Sequence, residues 1–395
     1  MLHRKERTLD NIPVGELGII SLDGCQDMGQ RVNDYLVQWR KEDERDVSKH
    51  LVFNGYEKDQ YLIDAKVPRF GSGEAKGIIN ESVRGMDLYL MVDVCNYSLT
   101  YSLSGHTNHM SPDDHYQNLK RIIAAIAGKA RRINVIMPFL YESRQHKRSS
   151  RESLDCALAL QELVSMGVDN IVTFDAHDPR VQNAIPLSGF ETVRPTYQFV
   201  KGLLQSVDDL VIDSDHMMAI SPDEGATGRA IYLANVLGLD MGMFYKRRDY
   251  TRVVDGRNPI VAHEFLGSSV EGKDVIIVDD MISSGDSILD VAKQLKARKA
   301  KRIFAAATFG LFTNGLEIFD KAYEEGLISG ILTTNLIYQT PELLSKPYYI
   351  NCDMSKYIAL LIDTLNHDSS ISDILDPSER IQAVVEKYKK GEPIE

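Results

Sequence analysis

Several short clusters in this sequence combine residue types that bind phosphates, sugar hydroxyls and divalent cations. The most informative is Asp279-Asp280-Met281-Ile282-Ser283-Ser284-Gly285-Asp286-Ser287, where two acids precede a hydroxyl-and-glycine turn that opens a helical pattern. Such a turn at a helix N-terminus offers backbone N–H groups and a favourable dipole to a phosphate. Acids just before it repel a phosphate laid on them but suit sugar hydroxyls or Mg2+. The cluster therefore fits a phosphosugar, with ribose on one side and phosphate on the other. It also fits a plain strand end with an N-capping Ser or Asp. Asp175-Ala176-His177-Asp178-Pro179 and Pro222-Asp223-Glu224-Gly225-Ala226-Thr227-Gly228-Arg229 add a histidine and further acids. The cations lie in Tyr141–Glu152 and in Lys246-Arg247-Arg248, each of which alone also reads as a solvated surface. Cations, acids and one histidine brought together are what polyphosphate–Mg2+ chemistry requires.

The elements that must position these residues follow from apolar periodicity. Short apolar runs at Leu17–Ser21, Leu88–Val94, Ile133–Met137, Ile171–Phe174, Met218–Ser221, Met243–Tyr245, Val275–Val278, Ile303–Ala307 and Ile331–Thr333 predict strands. Between them, Asp27–Trp39, Asp114–Ala130, Ser153–Met166, Thr227–Leu237, Ser287–Ala297, Gly315–Glu325 and Met354–Asn366 predict helices. In Ser287–Ala297, for example, Ile288, Leu289, Ala292 and Leu295 share one helical face. Continuous apolar strands alternating with helices predict an α/β fold with mainly parallel sheets flanked by helices. The pattern runs twice, which predicts two similar domains over residues 1–190 and 191–366, with Leu187–Thr196 as a linker and 41–76 as a charged, irregular excursion. Every chemical cluster then falls at the carboxyl end of a strand, where open α/β sheets bind ligands.

Composition bounds the alternatives. The 395 residues carry 45 basic and 57 acidic side chains, a net charge of −12, which argues against a nucleic-acid-binding surface. No apolar run is long enough to span a membrane, and Met1–Arg7 leads into no apolar segment of the signal-peptide kind. Cys25, Cys95, Cys156 and Cys352 are far apart and form no CxxC, so neither a disulfide framework nor a zinc site is expected. A cytoplasmic protein is the expectation.

The clusters, taken in order, resemble those of ribose-phosphate pyrophosphokinase (phosphoribosyl pyrophosphate synthetase). The matching stretches are Phe70-Gly71-Ser72-Gly73-Glu74, Glu81-Ser82-Val83-Arg84-Gly85, Arg144-Gln145, Ser150-Arg151-Glu152, Asp175-Ala176-His177, Ser221-Pro222-Asp223, Lys246-Arg247-Arg248, Asp279-Asp280, Thr334-Asn335 and Ser370-Ile371-Ser372. The resemblance implies two domains of the type I phosphoribosyltransferase fold. It also implies Mg2+-dependent transfer of the diphosphoryl group of ATP to the C1 hydroxyl of ribose 5-phosphate. By matched position, His177 and Asp223 are implied for Mg2+, and Arg144, Gln145, Phe70, Ser72 and Glu74 for ATP, the last three supplied to a neighbouring subunit of a homo-oligomer. Lys246 and Arg248 are implied for stabilising the transferred group. Asp279, Asp280 and Ser283 are implied for ribose, and Ser284, Gly285 and Ser287 for the 5-phosphate. Ser82, Arg84, Ser370 and Ser372 match a phosphate or ADP regulatory site, with segment 367–380 returning to the first domain and the ribose 5-phosphate site carried by the second.

The chain departs from the family's pattern at definite places. Ser283 stands where Asp is usual, Asp286 where Gly is usual, His146 where Asp is usual and Phe309 where His is common. The usual Asp-Leu-His-Ala reads Asp175-Ala176-His177-Asp178 here, the Arg144–Glu152 loop is one residue shorter, and the N-terminal region is longer. Two other readings use the same residues: a non-catalytic regulatory paralogue of the synthetase, and a phosphoribosyltransferase that consumes phosphoribosyl pyrophosphate.

Overall fold

A computed structural model describes residues 12–42, 55–248 and 260–394, with residues 246–248 and 260–263 described by their backbone alone. Among the described residues sixteen strands run in chain order: β1 Glu16–Ser21, β2 Ala65–Lys66, β3 Ile78–Ile79, β4 Met86–Met91, β5 Thr100–Leu103, β6 His106–His109, β7 Arg132–Ile136, β8 Asn170–Phe174, β9 Gly189–Val193, β10 Met217–Ser221, β11 Asp240–Arg248, β12 Ile260–Leu266, β13 Asp274–Ile282, β14 Ile303–Gly310, β15 Gly330–Thr334 and β16 Tyr349–Cys352. The chain divides into two compact units, one of residues 1–194, 335–338 and 353–376, the other of residues 195–334, 339–352 and 377–395.

The first unit is built on a five-stranded sheet of order β1-β4-β7-β8-β9, parallel throughout. Every residue of β4 is buried, as a strand covered on both faces requires. Leu88 and Leu90 pack with Leu119, Ile122 and Ile126 of the helix Pro112–Ile126. That helix starts on a capping box: the Ser111 hydroxyl accepts from Asp114 N at 3.2 Å while the Asp114 carboxylate accepts from Ser111 N at 3.0 Å.

Two expectations are corrected here. Leu187–Thr196, expected as a linker, contains β9, which pairs in parallel with β8 from Asn170↔Gly189 to Phe174↔Val193. A side chain at Gly189 would collide with the Asn170 amide, since a Cβ there would lie 1.9 Å from Oδ1; the glycine that suggested a linker is needed for close approach. The helix Ser355–Asn366, expected in the second domain, belongs to the first unit. Buried polar groups fasten it there. Arg132 binds Asp87 with Nε at 2.8 Å and Nη2 at 2.9 Å. Asn134 Nδ2 and Asn366 Nδ2 each donate to the same carboxylate at 2.9 Å, and Arg132 Nη2 donates to the Leu365 carbonyl at 2.7 Å. Of the excursion, residues 43–54 lie outside the described part of the chain. The rest is more ordered than expected, with Leu62 bridging to Ile19 beside β1 and β2 pairing antiparallel with β3.

The second unit carries a seven-stranded sheet of order β12-β11-β10-β13-β14-β15-β16, parallel except for the β11/β12 pair. The continuous apolar run of β13 serves two cores in alternation. Val275 and Ile277 join Met218, Ile220, Ile288 and Leu295, whereas Ile276 and Val278 join Ala219, Phe199, Leu203 and Ile381. Helix Ser378–Lys389 thus packs with the second unit, so of the segment expected to return to the first domain, residues 377–380 do not.

Candidate active site

In the first unit the candidate residues follow β7 and β8. At the end of β8 the backbone turns through Asp175, whose φ of 42° is unusual for a residue other than glycine. This conformation is held by Asp175 N donating to the Val193 carbonyl at 2.9 Å and Ala176 N donating to Thr192 Oγ1 at 3.0 Å. The sharp turn leaves His177 exposed, while Asp178 is buried. Asp178 accepts from Arg180 N and Nε, both at 2.9 Å, and the guanidinium holds its carboxyl well below the usual range.

The loop after β7 carries Arg144, which is exposed, and Gln145, whose Nε2 donates to the Ser153 carbonyl at 2.7 Å and closes the loop. The loop's cations and hydroxyls from Lys147 to Ser150 are exposed. His146 is different: it turns inward to Asp178 at 3.5 Å.

Phe70, Ser72 and Glu74 form a tight hairpin tip. Phe70 N donates to the Glu74 carbonyl at 2.7 Å, and Ser72 Oγ to Glu74 Oε2 at 2.9 Å. Gly73, at φ 92°, takes the turn position that other residues resist. Phe70 is 52% exposed. The hairpin base is fixed by Arg69, which lies 4.0 Å over the Tyr101 ring and 3.2 Å from Asp114 Oδ1. Asp113, the neighbouring residue, accepts from Tyr141 Oη at 2.7 Å, so one helix N-terminus anchors both the hairpin and the start of the loop.

Ser82 and Arg84 are exposed in the turn before β4, and Ser370 and Ser372 are exposed in the C-terminal segment, their hydroxyls 2.9 Å apart. Within the unit the two pairs sit at different strands. The helix Ser372–Leu375 packs on β9, which β7 and β8 separate from β4.

In the second unit, β13 extends to Ile282. Asp279 and Asp280 therefore lie within the strand and not after it, as the apolar run had suggested. Register with β14 pairs Asp279 with Ala307 and Met281 with Phe309, the residue in place of the usual His, which is buried. Burial, then the neighbouring charge of Asp280, and further off that of Asp223, push the Asp279 carboxyl far above the ordinary range. Asp223 itself caps the turn after β10, its Oδ1 accepting from Gly225 N at 2.9 Å and Ala226 N at 3.2 Å. Lys246 and Arg248 lie within β11, not after it, and their side chains are outside the described part of the structure.

The turn Ser283–Ser287 leads into the helix Asp286–Ala297. Gly285 is required twice over: its φ is 93°, and a Cβ would lie 2.1 Å from the Phe319 ring. Asp286 is exposed at the first helical position, and the helix has no side-chain cap hydrogen bond at its start. Asp286 Oδ2 accepts from Ser284 Oγ at 2.8 Å, beside the first N–H groups of the helix.

Asp93, just beyond β4, belongs to none of the sequence clusters. It is buried, accepts from Cys95 N at 2.8 Å and Tyr338 N at 2.7 Å, and burial pushes its carboxyl up to about 7. An acid between Val92 and Val94 at the end of an apolar run was the available signal. Among the described residues no group of three or more His, Cys, Asp or Glu is arranged to hold a metal ion by itself.

Comparison with known proteins matches residues 17–167 to the N-terminal domain of ribose phosphate pyrophosphokinase and residues 191–334 to the phosphoribosyl transferase domain. The ribose-phosphate pyrophosphokinase of Vibrio parahaemolyticus is 30% identical over 315 residues, covering 79% of this chain and 90% of the relative. That of Shewanella oneidensis is 31% identical over 317 residues with the same coverage. The crystal structure of phosphoribosylpyrophosphate synthetase from Mycobacterium smegmatis superposes with a TM-score of 0.68 at 21% identity, covering 90% of this chain and 100% of that one, which establishes the shared fold. With this fold and this extent of identity, the chain belongs to the ribose-phosphate pyrophosphokinase family.

Proposed function

We propose that the protein transfers the diphosphoryl group of ATP to the C1 hydroxyl of ribose 5-phosphate, forming phosphoribosyl pyrophosphate and AMP. The C1 hydroxyl gives up its proton to solvent as its oxygen bonds to the β-phosphorus, the bond from that phosphorus to the α,β-bridging oxygen breaks, and AMP carries the bridging oxygen away. The observation that carries this reading is the row of carboxylates Asp223, Asp279 and Asp280, in which the charges of Asp280 and Asp223 help burial to raise the Asp279 carboxyl, leading into the Ser283–Ser287 turn. Partly buried acids that repel one another suit sugar hydroxyls and a cation, and the helix N-terminus suits a phosphate. The names of the curated relatives support the same reaction.

In this reading Asp279 and Asp280 orient the ribose, and Ser283, Ser284, Gly285 and Ser287 hold the 5-phosphate. Arg144 and Gln145 bind ATP; Phe70, Ser72 and Glu74 complete the adenine site of a neighbouring copy in a homo-oligomer. Lys246 and Arg248 neutralise charge on the transferred group. In the first unit His177, exposed on its strained turn, is a candidate for Mg2+, and in the second unit Asp223 is another; Mg2+ prefers few protein ligands and fills its shell with water and phosphate oxygens. When bound, Mg2+ supplies charge neutralisation on the polyphosphate. Ser82, Arg84, Ser370 and Ser372 offer hydroxyls and a cation to phosphate or ADP as effectors. We place the enzyme in the cytoplasm.

One observation favours a second reading, a regulatory subunit without turnover: the Ser284 hydroxyl is already bound by Asp286. AMP release from ATP in the presence of ribose 5-phosphate and Mg2+ separates the two. The expected outcome is release that requires all three and falls at least about a hundredfold in His177→Ala with the fold intact. No release by the wild type, or full release by the variant, would refute the assignment.

A further inference from the structure

Two departures from the family's pattern, separate in sequence, meet in the structure. His146 sits in a loop whose next four residues are exposed, yet its side chain is only 12% exposed. Its Nε2 faces Asp178 Oδ2 at 3.5 Å, and the Asp178 side chain is itself 11% exposed. Arg180 Nε donates to Asp178 Oδ1 at 2.9 Å, which fixes the carboxylate in place. The His146 ring also lies 5.3 Å from the ring of His177, tilted by 58°. Its other nitrogen, Nδ1, is buried with no hydrogen-bond partner among the described residues. The Asp178 side is therefore where the ring finds its polar anchor.

We propose that His146 and Asp178 form a tether that docks the Arg144–Glu152 loop against the His177 turn and so positions Arg144 and Gln145. They act as positioning residues. An imidazole N–H facing a carboxylate is attractive, whereas the family's usual Asp at position 146 would set two carboxylates against each other. The exchange at one position makes sense only with the exchange at the other. This inference rests on the proposed reaction for its kinetic arm, but the tether is read separately by proteolysis.

The test compares H146A, H146D and the double variant H146D/D178A with the wild type. The loop holds Lys147, Arg148 and Arg151, so limited trypsin digestion reports its docking whether or not the protein turns over. The expected result is severalfold faster cleavage within the loop in H146A, faster still in H146D, and a return toward the wild-type rate in the double variant. The KM for ATP should follow the same order, rising about tenfold or more in H146D, with the KM for ribose 5-phosphate within about twofold throughout. Unchanged cleavage in H146A and H146D, or a double variant no better than H146D, would overturn the tether. A wild type that releases no AMP would refute the proposed reaction instead and leave the proteolysis comparison to decide the tether.

Discussion

Asp286 is the residue on which the proposed ribose 5-phosphate site turns. Its carboxylate is exposed at the first position of the helix that begins at the phosphate turn, and it holds the Ser284 hydroxyl at 2.8 Å. A 5-phosphate bound at Ser283–Ser287 would meet that negative charge at close range. Two unit charges about 4 Å apart repel by about 1 kcal/mol in a water-like surrounding and about 4 kcal/mol at an effective dielectric near 20. Because the group is exposed, the lower figure applies, equivalent to about a fivefold loss of affinity. Asp286→Asn keeps an acceptor for Ser284 and removes only the charge. The KM for ribose 5-phosphate should fall about fivefold with kcat nearly unchanged, and the gain should shrink as salt rises, since screening weakens the repulsion it relieves. The same substitution gives up a favourable charge–dipole interaction at the helix N-terminus, about 0.3–1 kcal/mol, so the protein should melt slightly earlier. Steady-state kinetics at two ionic strengths together with a melting curve test both parts. A KM that is unchanged or higher, or a gain independent of salt, would refute the electrostatic argument.

Gly285→Ala adds a left-handed backbone penalty of about 1–2 kcal/mol to a clash with Phe319 of about 1–3 kcal/mol; a clear drop in melting temperature and loss of ribose 5-phosphate binding by calorimetry are expected. Asp87→Ala would strip the acceptor from Arg132, Asn134 and Asn366 and should cost about 3–5 kcal/mol in urea denaturation. Asp279 has a raised carboxyl in the folded protein, so its contribution to stability is fully present below the ordinary carboxylate pKa and is lost as pH rises through the folded value. Asp279→Asn, which cannot ionise, should therefore melt increasingly above the wild type as pH is raised, while losing ribose 5-phosphate affinity. A melting difference that is flat or shrinking with pH would refute the assignment.

Nine strands and seven helices were legible because each has an apolar face of the right period, and the chemical clusters were legible because parallel sheets present ligand residues at strand ends. What escaped notice had definite causes. β9 is flanked by Ser188 and Pro195 and has no continuous apolar run, so turn residues outweighed its strand character. β12 and β16 lie at the sheet edges; His263 and Glu264 interrupt the apolar run of β12, and β16 is only four residues long. β13 was read as ending at Val278 because Asp279 and Asp280 broke the apolar run, although burial inside the strand is what raises Asp279. The placement of Ser355–Asn366 depends on Asp87, Arg132 and Asn134, more than 200 positions away, and no local pattern carries such a contact. The His146–Asp178 contact was equally out of reach, since each residue alone reads as a departure.

The central claim is intact transfer of a diphosphoryl group, and isotope position tests it most directly. ATP labelled separately at the α- and γ-phosphorus is incubated with the purified protein, ribose 5-phosphate and Mg2+, and the products are separated. γ-Label should appear only in phosphoribosyl pyrophosphate and α-label only in AMP, in equal amounts, with no ADP. Label released as ADP or inorganic phosphate, or no product at all, would contradict it.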